Sequence, residues 1–432
     1  MLLRTVRASL LLLLAVATAA HAQSDSARIR AAVERVTPAI VEIRHDIHSH
    51  PELGNRESRT AALVADRLRA LGLEVRTGVA KTGVVGILRG GRPGPVVAVR
   101  ADMDALPVTE DTDLPFASTV RTEYDGGTVG VAHACGHDVH VAVALGTAEV
   151  LAGMKARLAG TVVFVFQPAE EGPPVGEEGG AALMMKEGLF PPGLEPVAFF
   201  ALHSDGGLDV GTLGYAVGPA MASAQAWRAN MIGKSAHGAA PQNSVDPIVM
   251  ASEAVLALQT IRSRNLSPFT PSVVTVGIIR GGERRNIIPE RVELHGTIRT
   301  FSSAVLDTIK KRMQEILDGI ALSAGGRAEL MFDELYPVTV NDSALARRMA
   351  PALARVVGAD HVDVSGPRTG AEDFAFFAQK WPGFYFRLGT RDPAKGSGGA
   401  HTPTFRADDA AIPIGIRAMT AVVLERLSTP AR

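Results

Sequence analysis

Buried strands alternate with apolar-faced helices through most of the chain, and this alternation restricts the folds that it can adopt. "PVVAVRADMDALP" has the continuous apolar run of a buried strand that leads into a loop, and "HVAVALGTAEVLAGM" is typical of a helix. "GTVVFVFQPAEEG" is a further buried strand, which ends at Pro168. Because alternating strands and helices pack as layers around a sheet, the pattern predicts an α/β fold.

The pattern changes after "GTLGYAVGPAM", where six elements follow in the order strand, helix, strand, strand, helix, strand. They are "AWRANMIG", "DPIVMASEAVLALQTIRSR", "SVVTVGIIRG", "RVELHGTIRT", "SSAVLDTIKKRMQEILDGIAL" and "AELMFDELYPV". This βαββαβ order is the ferredoxin-like unit of roughly 100 residues. We therefore predict an inserted domain at residues 219–336, within a mixed-sheet α/β domain formed by residues 23–218 and 337–432.

An inserted domain that is tethered at both ends can move as a rigid body about two short linkers. Its edge strands are also free to pair across a two-fold axis. We therefore expect residues 219–336 to act as a lid and as a dimerisation domain, in a homodimer or a higher homo-oligomer.

The first residues predict export. Basic residues in "MLLRTVR", an apolar run from Leu10 to Ala17 and the small residues of "AHA" at Ala20–Ala22 form the pattern of a signal peptide, here residues 1–22. The alternative is an uncleaved N-terminal anchor. No later apolar run approaches the roughly 18–20 residues of a membrane span, so we expect a periplasmic or secreted protein with no membrane contact after cleavage.

Composition limits the class of partner. The chain has 432 residues, of which 46% are hydrophobic and 21% are charged, and this supports two domains with substantial cores. Its formal net charge is −1 and it has no basic run, whereas phosphate binding needs clustered Lys and Arg. Nucleic acid is therefore not an expected partner.

Cys135 is the one cysteine of the chain, so no intramolecular disulfide can form. It is then either a buried apolar residue or a ligand. In "HACGHD" it lies two residues before His137, and in an extended segment both side chains would project from the same face.

Further ligand-type residues follow other apolar runs. Glu170 and Glu171 come after the apolar run "VVFVF", His203 comes after the apolar run of "FFALHS", and His401 lies in the Gly-rich loop "GSGGAHTPTF". Adjacent residues in extended backbone point to opposite sides, so one carboxylate could bind metal while the other faces a substrate water. Thiolate, imidazole and carboxylate together suit Zn²⁺ and its first-row neighbours. By contrast, His45, His48 and His50 lie at the end of a predicted helix and are interpreted as structural.

Nine segments resemble a known family in order and spacing. They are "HDIHSHPELG", "RADMDALP", "HACGHDVH", "FQPAEEG", "LGYAVGPAMASA", "GKSAHGAAPQNSVDP", "NIIPERVELHGTIRT", "TGAEDFAFF" and "AHTPTF". The family is that of the metallopeptidases that include bacterial aminoacylases and glutamate carboxypeptidases. Within it, the chain resembles the branch of hippurate hydrolases, auxin-conjugate amidohydrolases and N-acetyl-diaminopimelate deacetylases, which carry a cysteine where relatives have a bridging aspartate.

The resemblance implies two divalent metal ions per subunit, zinc or manganese, with cobalt and nickel as further candidates. Cys135 would bridge them, with His137 and His203 around one metal and with Glu171 and His401 around the other. The resemblance also implies a substrate that is an N-acyl amino acid or a short peptide.

The remaining roles are implied by the same motifs. Glu170 matches the general base, and Asp104 matches the carboxylate that orients a metal ligand. His237 matches the inserted-domain histidine that reaches the substrate carbonyl oxygen, which in dimeric relatives comes from the facing subunit. Asn286 and Arg299 match contacts to the substrate carboxylate region. Glu372 and Asp373 match a motif of the catalytic cleft but receive no role. Arg284 and Arg285 are additions that favour an acidic substrate or are simply solvated.

Two other classes fit parts of the pattern. One is a cysteine hydrolase that uses Cys135 with a histidine base. It gives no role to Glu170, Glu171, His203 and His401, and its activity would persist in the presence of a chelator. A non-catalytic binding protein for metal or amino acids would need the ligands but not Glu170. The sequence therefore favours a metal-dependent amidohydrolase or a metallo-carboxypeptidase or dipeptidase.

Overall fold

The computed structural model describes residues 2–428, with side chains from Ser26 onwards. Its α-helices in chain order are α1 (Leu2–Ser49), α2 (Ser58–Ala70), α3 (His137–Gly153), α4 (Gly180–Lys186), α5 (Pro247–Thr260), α6 (Ser303–Ala324), α7 (Ser343–Val357), α8 (Phe374–Ala378) and α9 (Ala411–Leu427). The predicted signal peptide lies outside the residues whose side chains are described. Within the described part of the chain, no helix combines the length and apolar character that crossing a membrane requires.

The strands, in chain order, are β1 (Glu74–Val79), β2 (Gly83–Arg89), β3 (Arg92–Asp102), β4 (Arg121–Tyr124), β5 (Gly127–Gly130), β6 (Ala159–Gln167), β7 (Phe199–Asp209), β8 (Leu213–Tyr215), β9 (Gly218–Met221), β10 (Ser223–Ile232), β11 (Ala236–His237), β12 (Ser272–Arg280), β13 (Ile287–Ile288), β14 (Arg291–Thr300), β15 (Arg327–Tyr336), β16 (Thr339–Asn341), β17 (Val362–Val364) and β18 (Gly383–Arg391). They belong to two compact units. The first unit comprises residues 1–215, 342–365 and 381–432, and the second comprises residues 216–341 and 366–380.

The first unit is built on an eight-stranded sheet with the order β1-β2-β6-β3-β7-β18-β8-β17. Its centre is parallel, because β6, β3, β7 and β18 run in the same direction, whereas β2 and β8 are antiparallel to their inner neighbours. The mixed sheet confirms the predicted α/β class. Parallel strands also bring their carboxyl ends to one edge of the sheet, where open α/β sheets place ligand sites.

Helix α3 is the central helix of this unit. Nearly all of its side chains are buried, because it packs against α1, α9 and strands β3 and β7. A helix that is apolar on all sides is stable only when it is enclosed in this way. The first residue of α3 is His137, so the helix fixes one of the predicted site residues to the core.

The second unit contains the predicted βαββαβ order as β10, α5, β12, β14, α6 and β15. The strands form an antiparallel sheet with the order β12-β14-β10-β15. Trp227, Ala229 and Met231 alternate with more exposed residues along β10, as expected for a sheet with one covered face. On α6, Ile309, Met313 and Leu317 are buried at four-residue spacing and complete this core.

The second unit also includes residues 366–380, which the sequence pattern places in the α/β domain. Hydrogen bonds attach this segment to Ala222, between β9 and β10, and to Thr339 of β16. The N–H of Ala222 is bonded to the carbonyl oxygens of Arg368 and Gly370, and the Thr339 hydroxyl donates to the carbonyl of Glu372. Such pairing between segments distant in sequence has no local signal.

Candidate metal centre

Several of the predicted site residues of the first unit lie within or just after its parallel strands. Asp104 lies just after β3, and Glu170 and Glu171 lie just after β6. His203 lies within β7, which pairs in parallel with β3. His401 comes from the loop between β18 and α9, and its N–H donates to the carbonyl of Ala134 at 2.8 Å. Strand direction and this loop contact therefore bring distant segments of the chain to one place.

The segment that carries Cys135 and His137 is a turn, so the predicted extended conformation is wrong. Cys135 lies in the turn, Gly136 adopts a left-handed conformation with φ 84°, and His137 begins α3. A Cβ atom at Gly136 would also lie 2.4 Å from Ser204 Oγ, so this position requires glycine. The turn nevertheless directs both side chains to the same site.

The two glutamates also lie in a turn and not in extended backbone, which corrects the prediction that they point to opposite sides. Ala169, immediately before them, has φ 50° and redirects the chain as it leaves β6. As a result, a carboxylate oxygen of Glu170, one of Glu171 and a ring nitrogen of His137 all lie within 4.8 Å of one another.

Two groups of three ligand-type side chains share Cys135. Cys135, His137 and His203 form one group, and Cys135, Glu171 and His401 form the other, with ligand atoms within 4.8 Å in each. Cys135 Sγ lies 3.5 Å from His203 Nε2, and Glu171 Oε1 lies 3.0 Å from His401 Nε2. The structure therefore brings all five predicted metal ligands together.

Hydrogen bonds on the outer side orient these ligands. His137 Nδ1 lies 2.8 Å from the carbonyl oxygen of Asp104, and His203 Nδ1 lies 2.7 Å from that of Ser204. As donors to these carbonyls, both Nδ1 atoms keep their protons, so Nε2 is the nitrogen of each ring whose lone pair can bind metal. Asp104 also accepts from the Glu171 N–H through Oδ2 at 2.9 Å. Asp104 thus contacts two of the candidate ligands.

The residues of the cluster fit a metal ion. His137 Nε2 is fully buried, and among the described residues it has no hydrogen-bond partner, although a buried polar atom without a partner is costly. This atom points toward the shared cluster of sulfur, nitrogen and carboxylate oxygen donors. A divalent first-row ion is the group that such a donor set accepts best.

The ionisable side chains of the cluster shift one another's pKa values. Burial alone raises the pKa of the Cys135 thiol, but His203 and His137 lower it more strongly, so that this pKa is about 6. Hydrogen bonds to Cys135 and Glu171 raise the pKa of His401 to about 10. The thiol is therefore ready to ionise at neutral pH, as a metal ligand must be.

In metal-free protein we expect iodoacetamide to alkylate Cys135 with a midpoint near pH 6, and not near the pH of about 8.5 typical of a free thiol. The thiolate is the nucleophile, and a lowered pKa means that it is present above pH 6 and lost below it. Mass spectrometry against pH measures this midpoint unambiguously, because the chain has one cysteine. Added Zn²⁺ should protect the thiol. A midpoint above pH 8 in the folded protein would contradict this electrostatic picture.

A second buried group lies behind the cluster, and the sequence reasoning did not identify it. His140 Nδ1 lies 2.5 Å from Asp102 Oδ1, and His140 Nε2 accepts the Ser204 N–H at 2.8 Å. Asp102 also pairs with Arg100 at 2.6 Å. The motifs "RADMD" and "HACGHDVH" contain these residues, and their position beside ligand residues was the available signal.

The three histidines at the end of α1 are not part of the candidate metal cluster. His48 is buried and contacts Asp138 at 2.9 Å and Glu110 at 3.2 Å. His45 stacks on Phe116 with 3.7 Å between ring centroids, and His50 is exposed. These contacts agree with their interpretation as structural residues.

The second unit holds the remaining predicted site residues. His237 and Asn286 are neighbours, because β11 pairs with β13 and the Gly238 N–H donates to the Asn286 carbonyl at 2.8 Å. Both side chains are exposed, as are those of Arg284 and Arg285. Arg299 is half-buried on β14, opposite Ala224 of β10. In the same unit Glu372 and Asp373 are buried, and Glu372 Oε1 accepts the Phe374 N–H at 2.9 Å.

A parallel-centred sheet with thiol, imidazole and carboxylate groups near its carboxyl ends is the arrangement of an α/β protein with a site that fits a metal ion. Comparison with known proteins identifies the family. The chain belongs to peptidase family M20/M25/M40, whose family model matches residues 98–425. It is therefore a hydrolase of C–N bonds, and the family resemblance seen in the sequence is confirmed.

Relatives of known name cover most of the chain. Thermostable carboxypeptidase 1 of Saccharolobus solfataricus is 40% identical over 84% of this chain and 89% of its own length. IAA-amino acid hydrolase ILR1-like 2 of Arabidopsis thaliana is 35% identical over 91% of this chain and 86% of its own. The solved structure of a dinuclear metal-binding M20 peptidase from Bacillus subtilis is 32% identical, with a TM-score of 0.78, and the match covers 92% of this chain and 99% of that one.

Proposed function

We propose that the protein is a metal-dependent amidohydrolase that cleaves the amide bond of N-acyl amino acids or small peptides, with Glu170 as general base. The observation that carries this proposal is the pair of ligand groups that share Cys135. A single thiolate that belongs to both groups can bridge two metal ions, whereas a cysteine nucleophile needs only one histidine.

Two divalent metal ions per subunit are part of the proposal. Cys135, His137 and His203 would hold one, and Cys135, Glu171 and His401 the other. Zinc or manganese suits these donors, with cobalt or nickel as further candidates. The solved Bacillus subtilis relative, described as dinuclear, supports the count of two. When bound, such ions would polarise the amide carbonyl and lower the pKa of a water molecule, so that hydroxide is present near neutral pH to attack the carbonyl carbon.

Glu170 performs the proton transfers in this proposal. Its side chain is buried and its carboxylate lies within 4.8 Å of His137 and Glu171. As a carboxylate it takes the proton of the attacking water, and as a carboxylic acid it returns that proton to the departing amine. Asp104 keeps His137 in the tautomer that leaves Nε2 available, through the carbonyl and carboxylate contacts at 2.8 and 3.2 Å.

The second unit supplies substrate contacts in this proposal. His237 donates to the oxyanion that forms at the scissile carbonyl, and Asn286 and Arg299 bind the carboxylate region of the substrate. The neighbouring positions of His237 and Asn286 on the β11–β13 pair support a shared role. We further propose that this unit acts as a lid, that it pairs two subunits into a homodimer, and that the mature protein is periplasmic or secreted.

A second candidate substrate class is short peptides that are cleaved at the C-terminal residue. The 40% identity to a thermostable carboxypeptidase favours it, while the relative named IAA-amino acid hydrolase favours N-acyl amino acids. A hydrolysis screen over N-acyl amino acids and dipeptides separates the two classes.

We expect a chelator to abolish amide hydrolysis completely and Zn²⁺ or Mn²⁺ to restore it. The physical reason is that the candidate ligands contribute nothing to carbonyl polarisation when no metal is bound. The measurement is the rate of amine release before chelation, after it and after addition of each metal. Activity that persists in a fully metal-free sample would favour a cysteine hydrolase.

A dimer in which His237 serves the facing subunit predicts complementation. We expect mixed dimers of His237→Ala and Glu170→Gln subunits to recover part of the activity, because one site of each heterodimer receives both intact groups. The measurement is turnover after subunit exchange, with heterodimer formation verified by two affinity tags. No recovery in verified heterodimers would mean that His237 acts within its own subunit or not at all.

A further inference from the structure

The segment Gly54–Glu57 lies directly against the turn that carries the two glutamates. A Cβ atom at Gly54 would come within 2.8 Å of the Gly172 carbonyl oxygen and 3.1 Å of Ala169 Cβ. Because no side chain fits between them, this segment and the turn are in close backbone contact. The contact lies wholly inside the first unit.

Glu57 connects the two segments through its carboxylate. The residue is fully buried. Its Oε1 accepts the backbone N–H of Ala169 at 2.8 Å, and its Oε2 accepts the Thr82 hydroxyl at 2.6 Å. Both oxygens are therefore held, and the acceptor that faces Ala169 has a fixed position.

Ala169 needs such a fixed acceptor. Its φ of 50° lies in the left-handed region, which residues with a Cβ adopt only when their surroundings hold them there. Ala169 is also the last residue before Glu170, so its conformation sets the direction of both glutamates. If Ala169 relaxed to an extended conformation, the chain would leave β6 in another direction and would carry both glutamates away from His137.

We infer that Glu57 is a positioning residue whose carboxylate holds Ala169 in the left-handed conformation and thereby directs Glu170 and Glu171 to the metal cluster. This inference deepens the proposed function and rests on it. Hydrogen bonds to residues behind a metal ligand commonly set both metal affinity and activity.

Asn55 holds the far end of the loop that connects β6 to α4. Its Nδ2 donates to Glu177 Oε2 and to the Glu178 carbonyl, both at 3.0 Å. Asn55 is itself buried and left-handed, with φ 62°. Residues 54–57 therefore fasten the loop after β6 at its beginning and at its end.

The test is Glu57→Ala, with metal affinity and steady-state kinetics as readouts. We expect Zn²⁺ affinity, measured by competition with a chromogenic chelator, and kcat each to fall about 10–100-fold. KM should change much less than kcat, because the proposed substrate contacts belong to other residues. Glu57→Gln keeps a carbonyl acceptor for the Ala169 N–H and should restore most of both quantities.

Glu52→Ala is the matched control for a general loss of stability. Glu52 accepts the N–H groups of Arg59 at 2.9 Å and Thr60 at 2.8 Å, so it fastens the start of α2 without touching the turn. We expect it to lower the unfolding midpoint while zinc affinity and kcat stay near wild type. If Glu57→Ala behaves like this control, the inference is wrong.

Ala169→Gly gives an independent test. Glycine adopts the left-handed conformation without a Cβ clash, so it needs the carboxylate less. We expect Glu57→Ala to cost less zinc affinity in the Ala169→Gly background than in wild type. Equal losses in both backgrounds would overturn the inference. If the wild type hydrolyses no amide, the proposed function fails, and the zinc affinities still decide the role of Glu57.

Discussion

Glu170→Gln is expected to lower kcat by about 10²–10⁴ while the protein keeps its full metal content. The amide has the shape of the carboxylate but cannot take a proton from water, so the general base is lost without a change in packing. Glu170 is buried, and in the proposal it is not one of the ligands around either metal. The measurements are kcat with an N-acyl amino acid and metal content by atomic emission.

Glu171→Gln is the matched variant, one residue further along the same turn. Glu171 belongs to the group with Cys135 and His401, so the amide should weaken metal binding at that group. Activity should then return in part at high metal concentration, which it cannot do for Glu170→Gln. The reverse result, with metal lost from Glu170→Gln and kept by Glu171→Gln, would exchange the two roles.

Cys135→Ala should have an even larger effect on metal content, because Cys135 is the one residue common to both ligand groups. Its removal takes a donor from each group at once, so we expect metal binding and hydrolysis both to fall below detection. Equilibrium dialysis against Zn²⁺ and a discontinuous assay of amine release measure the two losses. A circular dichroism spectrum like that of wild type establishes that the variant is folded.

Cys135→Asp distinguishes a bridging ligand from a nucleophile. A carboxylate can bridge two metal ions with its two oxygens, so this variant should bind metal and keep measurable activity. In a cysteine hydrolase the same change would remove the nucleophile and abolish the reaction. A Cys135→Asp protein that binds two zinc ions but hydrolyses nothing would therefore weigh against the proposed mechanism.

Much of the fold of the first unit could be predicted from local patterns of apolar residues. The apolar runs of β3 and β6 and the apolar sequence of α3 allow few other structures, so the mixed α/β class could be predicted. The six elements from β10 to β15 were also predicted, since alternation on strands and four-residue spacing on helices are local properties. The position of residues 366–380 could not be predicted, because it depends on hydrogen bonds from the Ala222 N–H and the Thr339 hydroxyl, which are distant in sequence.

The candidate metal centre, too, could be predicted from the sequence only in part. With the aid of the family motifs, the sequence identified Cys135, His137, Glu171, His203 and His401 as ligand-type residues. It predicted the local geometry wrongly, because extended backbone was assumed where the chain turns at Ala169 and Gly136. Ala169 carries no turn signal of its own, and its left-handed conformation is held by contacts from Gly54–Glu57.

The sequence by itself determined which residue types are available and near which strand ends they lie, because apolar periodicity and ligand chemistry are written in consecutive residues. Only the tertiary structure decided that the chain turns at Gly136 and Ala169, that His137 Nε2 is left without a hydrogen-bond partner among the described residues, and that Glu57 supports the turn before Glu170. These features depend on segments from Glu57 to His401 meeting at one edge of a sheet. Such meetings are set by strand order and loop packing, for which single residues carry no signal.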